Sequence, residues 1–129
     1  MAEVWSAAQP GRDGEVALKL LRPGGDRVRF GREIQTLEGL TCPGVLPVLD
    51  HGEAHGRLWF AMPLVDGIDL AGLAEKLRAR PVAERHARAR ALADELAETL
   101  GHLHRVGIVH RDVKPTNVLV GRRATLVDF

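Results

Sequence analysis

One segment near the end of the chain constrains its fold more than any other. Val118-Leu119-Val120 and Ala124-Thr125-Leu126-Val127 are β-prone runs, and Gly121-Arg122-Arg123 separates them. That spacing predicts a hairpin with a three-residue connection. A hairpin brings its two open ends together. We therefore expect Asn117 and Asp128, eleven positions apart in the sequence, to be neighbours in space.

The polar residues that flank this hairpin suit one kind of chemistry. Asp112 is a carboxylate that can accept a proton from an attacking hydroxyl, and Lys114 can meet a phosphate group. Asn117 and Asp128 offer the hard oxygen ligands that Mg²⁺ prefers. Together these groups indicate a metal-assisted phosphoryl-transfer site. A surface turn with unrelated polar residues would need all of them to fall at these spacings by accident.

Composition argues against several classes of protein. The 129 residues carry a formal net charge of +1, so the charge balance points neither to nucleic acid nor to a membrane surface. Cys42 is the only cysteine, which excludes an internal disulfide. The sequence has no apolar run of about 18 residues, and Glu3 and Arg12 interrupt any signal-peptide core. We expect one domain or slightly more, cytoplasmic, with no nucleic-acid partner and no membrane segment within this stretch, although the full-length protein could carry a transmembrane segment downstream.

The first half of the chain shows the pattern of a small sheet with one helix. Met1 to Ala7 and Glu15 to Leu21 are predicted strands, and the turn residues from Gln9 to Gly14 join them into an antiparallel hairpin. Apolar residues at helical spacing predict a helix over Arg27 to Leu40. Asp26 is its predicted N-cap.

Lys19 lies within an apolar strand, on the same face as Ala17 and Leu21. Two interpretations are open at this point. The lysine could be buried against a partner, for which Glu33, one position before the apolar Ile34, is the best candidate. It could equally be an edge-strand lysine that points into water.

Two further strands are predicted over residues 45–49 and 58–62, joined by a polar loop over residues 50–57. His51 and His55 fall in that loop. Two histidines four apart could bind a metal on a helix, but in a loop we interpret them as solvated residues. The result is a sheet of four or five strands with one helix, an α+β unit.

The strand pattern breaks at residues 63–70, which we interpret as a boundary between two structural halves. Asp69 is the predicted N-cap of a short helix over Leu70 to Arg80. The longest predicted helix covers Ala83 to Val106, with Gly107 placed to end it. Its apolar stripe consists of Leu92, Leu96, Leu100 and Leu103.

Three motifs give the chain a resemblance to a known family. They are His110-Arg111-Asp112-Val113-Lys114-Pro115-Thr116-Asn117, Asp128-Phe129 and Val16-Ala17-Leu18-Lys19. Over its whole length the chain resembles a eukaryotic-type serine/threonine protein kinase. The resemblance implies a protein-kinase-like α+β fold. Residues 1–65 would be an N-lobe with an antiparallel sheet, the αC helix and the hinge. Residues 66–129 would begin the helical C-lobe.

The resemblance also implies roles for individual residues. Asp112 resembles the catalytic base, and Lys114 is the residue that marks serine/threonine kinases. Lys19 would hold the α- and β-phosphates of ATP while Glu33 pairs with it. Mg²⁺ would be bound by Asn117 and Asp128. The substrate would be a serine or threonine hydroxyl of a protein. The further residues expected to contact ATP are Val4, Ala17, Met62, Pro63, Val65 and Asp69.

The chain departs from the family pattern at both ends. It begins after the first two glycines of the glycine-rich loop and stops before the glycine of the Asp-Phe-Gly motif. The hairpin after Asn117 is also about two residues shorter than is usual in the family. We expect a kinase fragment with negligible activity by itself. We also expect its leucine stripe to be exposed, which would make the fragment poorly soluble.

Two other functions compete with this interpretation. A small-molecule phosphotransferase of the same fold, such as an aminoglycoside or choline kinase, usually lacks the residues found here at Arg111 and Lys114. A non-catalytic nucleotide-binding or scaffold module is possible because the chain is short. No residue that the chemistry needs has been lost, however, since Lys19, Glu33, Asp112, Asn117 and Asp128 are all present.

Overall fold

The computed structural model describes residues 2–11 and 13–129. Met1, assigned above to the first strand, and Arg12, assigned to the turn that follows it, lie outside the described residues.

The chain divides into two compact units. The first comprises Met1–Leu40 and Leu46–Val65, and the second comprises Thr41–Val45 and Asp66–Phe129. One division falls after residue 65, where the sequence pattern breaks. The interpretation of residues 1–65 and 66–129 as two kinase lobes stays a prediction.

A four-stranded antiparallel sheet forms the first unit. Its strands are β1 (Ala2–Ala8), β2 (Glu15–Leu21), β3 (Asp50–Ala54) and β4 (Arg57–Pro63), in the spatial order β1-β2-β4-β3. The predicted pairing of the first two strands is confirmed, with Val4 opposite Lys19. Because β2 lies between β1 and β4, Lys19 is on an inner strand, and the edge-strand interpretation of this lysine is wrong.

The helix of the first unit, α1 (Arg27–Leu37), packs on this sheet. Asp26 caps it as predicted, since its side chain accepts a hydrogen bond of 2.9 Å from the Arg29 N–H. The buried face includes Phe30, whose ring centroid lies 5.4 Å from that of Phe60 on β4. The helix ends three residues before the predicted Leu40 because the chain turns at Gly39, which has φ +73°.

The prediction of a strand over residues 45–49 was wrong. Only Val45 in that stretch forms a bridge, to Leu126, and the strand lies instead over Asp50–Ala54, in the predicted loop. Pro47 has no N–H to donate to a ladder, which explains part of the failure. The observed β3 gave no apolar signal because its side chains are exposed. Its turn to β4 has His55 at φ 50° and Gly56 at φ 74°, the left-handed pair that tight hairpins require.

The second unit combines two helices with a three-stranded sheet. The helices are α2 (Leu70–Leu77), three residues shorter than predicted, and α3 (Val82–Arg105), which agrees with the prediction within one residue at each end. The strands are β5 (Ile68–Asp69), which the sequence did not indicate, β6 (Val118–Val120) and β7 (Ala124–Leu126), in the order β5-β6-β7. The predicted hairpin is confirmed, with Leu119 opposite Thr125.

Residues 41–45 lie against the middle of α3. The Thr99 hydroxyl donates a hydrogen bond of 3.1 Å to the Pro43 carbonyl, and the Leu126 N–H donates one of 2.8 Å to the Gly44 carbonyl. Gly44 has φ +87°, and a Cβ atom there would overlap Thr99 Oγ1. This close approach requires glycine.

Alanine substitutions at two glycines should therefore act in opposite directions. Gly44→Ala should lower the free energy of unfolding by about 2–4 kcal/mol, since it combines a left-handed backbone with steric overlap. Gly101→Ala should raise the free energy of unfolding by about 0.5–1 kcal/mol, because alanine is a better helix former than glycine inside α3. The added Cβ atom would meet only the flexible side chain of Arg105. Urea unfolding measures both. Equal effects of the two substitutions would contradict the packing described for Gly44.

The same packing corrects the expectation of an exposed leucine stripe. Leu92 and Leu103 are only 3% and 0% exposed. Leu96 and Leu100 are half-buried. The expectation overlooked residues 41–45 and β7 as neighbours of α3. The prediction of poor solubility now depends on Leu96 and Leu100 alone.

Candidate functional site

Two side chains hold the carboxylate of Asp112 through one and the same oxygen atom. Lys114 Nζ donates to Asp112 Oδ2 at 2.6 Å, and Asn117 Nδ2 donates to the same oxygen at 3.0 Å. Asn117 Nδ2 also donates to the backbone carbonyl of Asp112, at 3.0 Å. Among the described residues, none donates a hydrogen bond to Asp112 Oδ1. The loop therefore fixes the carboxylate and leaves one oxygen available to a ligand.

The same contacts determine the charge of Asp112. The hydrogen bond from Lys114 is the largest effect and lowers the pKa of the Asp112 carboxyl from its ordinary value of 3.8. Desolvation opposes it, and the positive charge of Lys114 and the hydrogen bond from Asn117 add to the lowering. The group is therefore ionised at any working pH. Its affinity for a proton is low, so it suits orienting a hydroxyl and receiving the proton late in a reaction.

Removing Lys114 should reverse the lowering of the Asp112 pKa. Lys114→Ala should raise the pKa of Asp112 toward 3.8, and Lys76→Ala, a matched change on the exposed end of α2, should leave it unchanged. Carbon-detected NMR titration of the carboxyl group measures the pKa directly. Because the native pKa is depressed, the stability that this interaction contributes is present above the unfolded-state pKa and lost as the pH falls through the native pKa. An unchanged Asp112 pKa in Lys114→Ala would contradict this.

Local backbone geometry turns the Asn117 side chain back toward Asp112. Pro115 opens a short 3-10 helix, Pro115–Asn117, in which the Asn117 N–H donates to the Lys114 carbonyl at 2.9 Å. Arg111, immediately before Asp112, has φ 65°, and Asp128 has φ 61°. Left-handed backbone at residues other than glycine is uncommon and persists where the surrounding structure enforces it. Arg111 directly precedes Asp112, and Asp128 is itself one of the residues that the sequence singled out.

His110 ties this loop to the end of the β6–β7 hairpin. The histidine is buried, and its Nε2 lies 3.0 Å from the Val127 carbonyl. A carbonyl only accepts, so Nε2 carries the proton, which leaves Nδ1 as the acceptor that faces the Asp112 N–H at 3.4 Å. The Val127 N–H in turn donates to the Asn117 carbonyl at 3.0 Å, and the His110 ring lies 4.6 Å from that of Phe129. The resemblance to protein kinases implies the contact of His110 with Phe129, whereas the hydrogen bonds of His110 have no signal in the sequence.

In the first unit, Lys19 and Glu33 form a buried ion pair. Lys19 Nζ lies 2.5 Å from Glu33 Oε1, and the two residues are 7% and 8% exposed. The ammonium group also lies 5.6 Å from the centroid of the Phe60 ring. The interpretation of Lys19 as a buried lysine with Glu33 as its partner is therefore correct.

Three other predicted ATP contacts share a sheet face with Lys19. Strand pairing places Val4 opposite Lys19, and Ala17 opposite Met62. Side chains two residues apart on β2 point to the same side, so these four residues form one surface. Val4 is 59% exposed, whereas Ala17 is buried. The register brings together the side chains that the prediction grouped, and the ATP contacts themselves stay a prediction.

The remaining predicted contacts lie where the first unit ends and the second begins. Pro63 is the last residue of β4, and Val65 is the last residue of the first unit. Asp69 caps α2, since its Oδ1 accepts a hydrogen bond of 2.7 Å from the Gly72 N–H. No described residue donates a side-chain or capping hydrogen bond to its Oδ2.

Comparison with known proteins identifies the family. The sequence matches the protein kinase domain family over residues 1–129. The chain belongs to the protein kinase family. It is 38% identical over 136 aligned positions to the serine/threonine-protein kinase PknD of Mycobacterium tuberculosis, and the match covers 100% of this chain and 20% of that protein. It is 43% identical over 124 positions to the DNA damage-responsive serine/threonine-protein kinase RqkA of Deinococcus radiodurans, covering 92% of this chain and 18% of the relative.

Solved structures agree with this family assignment. The crystal structure of the Mycobacterium tuberculosis PknI kinase domain matches with a TM-score of 0.74 and 40% sequence identity, over 100% of this chain and 54% of that domain. The predicted kinase-like fold is thereby confirmed. The chain spans about half the length of the solved kinase domain and about a fifth of the two curated relatives.

Protein kinases use ATP with a divalent metal ion and act on protein substrates, and the donor set here fits such an ion. No described residue donates a hydrogen bond to the side-chain oxygen of Asn117, since its amide nitrogen makes the contacts to Asp112. The described residues contain no cluster of three histidine, cysteine, aspartate or glutamate side chains. Mg²⁺ takes one or two protein oxygens and completes its coordination shell with phosphate and water, so two oxygen donors suffice to hold it.

None of the helices formed by the described residues is long and apolar enough to cross a membrane.

Proposed function

We propose that this chain provides the ATP-binding and catalytic residues of a serine/threonine protein kinase, which transfers the γ-phosphoryl group of ATP to a serine or threonine hydroxyl. The observation that carries the proposal is the state of Asp112. One of its carboxylate oxygens is held by Lys114 and Asn117, and no described residue donates to the other. A hydroxyl that donated a hydrogen bond to the second oxygen would be oriented by a carboxylate that Lys114 and Asn117 hold in place.

Asp112 acts as the base in this reaction. The bond between the substrate oxygen and the γ-phosphorus forms while the bond from phosphorus to the β–γ bridging oxygen breaks, and the hydroxyl proton passes to Asp112. The lowered pKa of Asp112 fits a proton transfer that comes late, after the phosphoryl group has largely left ADP. Lys114 lies beside the carboxylate and supplies positive charge toward the transferring group.

Asn117 and Asp128 are the proposed metal ligands. The Asn117 side chain is oriented by its own amide group, which donates to Asp112, so the base and the metal ligand are positioned by one hydrogen-bond network. Mg²⁺, when bound, neutralises charge on the β- and γ-phosphate oxygens. Asp128 has a left-handed backbone. The preceding residue, Val127, accepts a hydrogen bond from His110 and donates one to the Asn117 carbonyl, and these two bonds fix the chain where Asp128 begins.

Lys19 is the proposed contact to the α- and β-phosphates. Glu33 holds its ammonium group through the 2.5 Å ion pair, so the lysine reaches the nucleotide as part of an ordered network. The nonpolar surface for adenine is assigned to the face that carries Val4, Ala17 and Met62. The remaining proposed contacts are the backbone of Pro63 and Val65, which would meet adenine, and the Asp69 carboxylate, which would approach the ribose.

Calorimetric titration with ATP tests the nucleotide site on the chain itself. We expect ATP to bind with Mg²⁺ present, and we expect Asp128→Ala to weaken binding at least about tenfold in Mg²⁺ while changing it little in EDTA. Asp94→Ala, which removes an exposed carboxylate from α3, is the matched control and should bind like the unmodified chain. A chain that folds but shows no Mg²⁺-dependent ATP binding would support the scaffold interpretation instead.

A test of which substrates are phosphorylated requires a complete kinase domain. Residues 1–129 joined to the remaining half of a relative's kinase domain should phosphorylate serine or threonine in a peptide, and should leave aminoglycosides and choline unmodified. Phosphorylation of a small molecule in place of peptide would transfer the assignment to the small-molecule kinases of the same fold.

A further inference from the structure

Both ends of α1 carry a charge of the sign that the helix dipole disfavours. Arg27 is the first helical residue, at the positive end of the dipole, and Glu38 is the C-cap, at its negative end. The first turn contains no acidic residue and the last turn no basic one, and the Asp26 carboxylate at the N-cap accepts from the Arg29 N–H and not from the Arg27 side chain. These two side chains therefore gain nothing from the helix itself, and their contacts lie outside it.

Both contacts are made to the β3–β4 hairpin. Arg27 Nη2 donates to Glu53 Oε2 at 2.8 Å, and its Nη1 donates to the Gly56 carbonyl at 2.8 Å. At the other end, His51 Nε2 donates to Glu38 Oε1 at 2.8 Å. His51 and Glu53 are two residues apart on β3, so they stand on the same face of the strand.

Glu33 lies between the two ties. Arg27 and Glu38 are 11 positions apart, which corresponds to about 16 Å along a helix axis. Ties at both ends oppose sliding of the helix and rotation about its axis, and either motion would move the Glu33 carboxylate away from Lys19. The buried contact of Phe30 with Phe60 holds the helix against the sheet, but an apolar contact permits sliding more readily than hydrogen bonds do.

We propose that Arg27 and Glu38 are positioning residues, and that their ties to the β3–β4 hairpin hold α1 in the orientation in which Glu33 meets Lys19. The β3–β4 hairpin then acts as the element that sets the affinity for ATP. This inference rests on the role in nucleotide binding proposed above for the Lys19–Glu33 pair.

Two arginines in the first turn of α1 provide a matched comparison. Arg27→Ala should weaken Mg²⁺-ATP binding by about threefold to tenfold, whereas Arg29→Ala should change it less than about twofold. Both variants remove the same charge from the same turn, and among the described residues the Arg29 side chain has no ion pair. Reversing the charge by Arg27→Glu should weaken binding further, and Glu53→Arg in the same chain should restore it in part.

A purely structural role would give a different result. The Tm of Arg27→Ala would then be lowered. Its Kd for ATP, measured well below that Tm, would equal the Kd of Arg29→Ala. That outcome, or the absence of any rescue by Glu53→Arg, would overturn the proposal. Arg27→Gln, a milder change, is used if the alanine variant does not fold.

Hydrogen exchange separates this proposal from the function on which it rests. Arg27→Ala should accelerate exchange of the amides around Glu33 more than Arg29→Ala does, with no nucleotide present. If the unmodified chain fails to bind ATP, the proposed function fails, and the exchange comparison still tests the ties. Equal exchange in the two variants would contradict the proposal whatever the outcome with ATP.

Discussion

Replacing Asp112 by asparagine is expected to reduce turnover by about 10²–10⁴-fold in a kinase domain that contains this sequence. Asparagine has nearly the same shape and retains an oxygen that can accept from Lys114 and Asn117, but it cannot take the hydroxyl proton. The KM for ATP should change little, since the proposed contacts of Asp112 are with the substrate hydroxyl. Steady-state phosphorylation of a serine peptide measures both quantities.

The control for this experiment is Asp94→Asn, which makes the same chemical change on an exposed face of α3. It should retain the turnover of the unmodified domain. Turnover of Asp112→Asn within about threefold of the control would remove Asp112 from the role of base.

Replacing Glu33 by glutamine is expected to destabilise the first unit by about 3 kcal/mol. The change removes one charge from an ion pair in which both residues are more than nine-tenths buried, while the Lys19 ammonium keeps its charge. Glutamine can accept a hydrogen bond but cannot compensate that charge. Replacing both partners, by Lys19→Met with Glu33→Leu, should recover most of the loss because an apolar pair of similar size needs no charge compensation. Urea unfolding of each variant gives the free energies.

The control for Glu33 is Glu75→Gln on α2. Glu75 pairs with Arg78 at 3.0 Å, but its side chain is 67% exposed. Exposed pairs contribute little, so this variant should lie within about 0.5 kcal/mol of the unmodified chain. If the Glu33 and Glu75 variants lost equal stability, the pair of Lys19 and Glu33 would not be buried in solution.

The elements that the sequence predicted well are those with an unambiguous periodic or local signal. β2 is apolar from Val16 to Leu21 except at Lys19, and α3 is long enough for its leucine stripe to define a period. The β6–β7 hairpin was predicted with its three-residue connection because the turn residues are local. By contrast, β3 was missed because its side chains are solvent-exposed, and β5 because a strand of two residues has no period.

The candidate site likewise has features that the sequence could predict and features that it could not. The types and spacings of Asp112, Lys114 and Asn117 were enough to suggest the chemistry. Glu33 could be proposed as the partner of Lys19 because it lies one position before the apolar stripe of α1. The sequence could not show that Asn117 donates to Asp112, because that contact depends on the 3-10 turn that begins at Pro115.

The most direct test of the site is where a bound metal–nucleotide complex lies on the chain. Mn²⁺ in place of Mg²⁺, added with ATP to an isotope-labelled chain, broadens NMR signals of nearby nuclei. We expect the strongest broadening at the Asn117 side-chain amide and at the Asp128 backbone amide. We also expect little broadening at Ala87 in the first half of α3, and none at any position when EDTA is present. Broadening that was uniform along the chain, or strongest away from Asn117 and Asp128, would contradict the assignment of these residues to phosphoryl transfer.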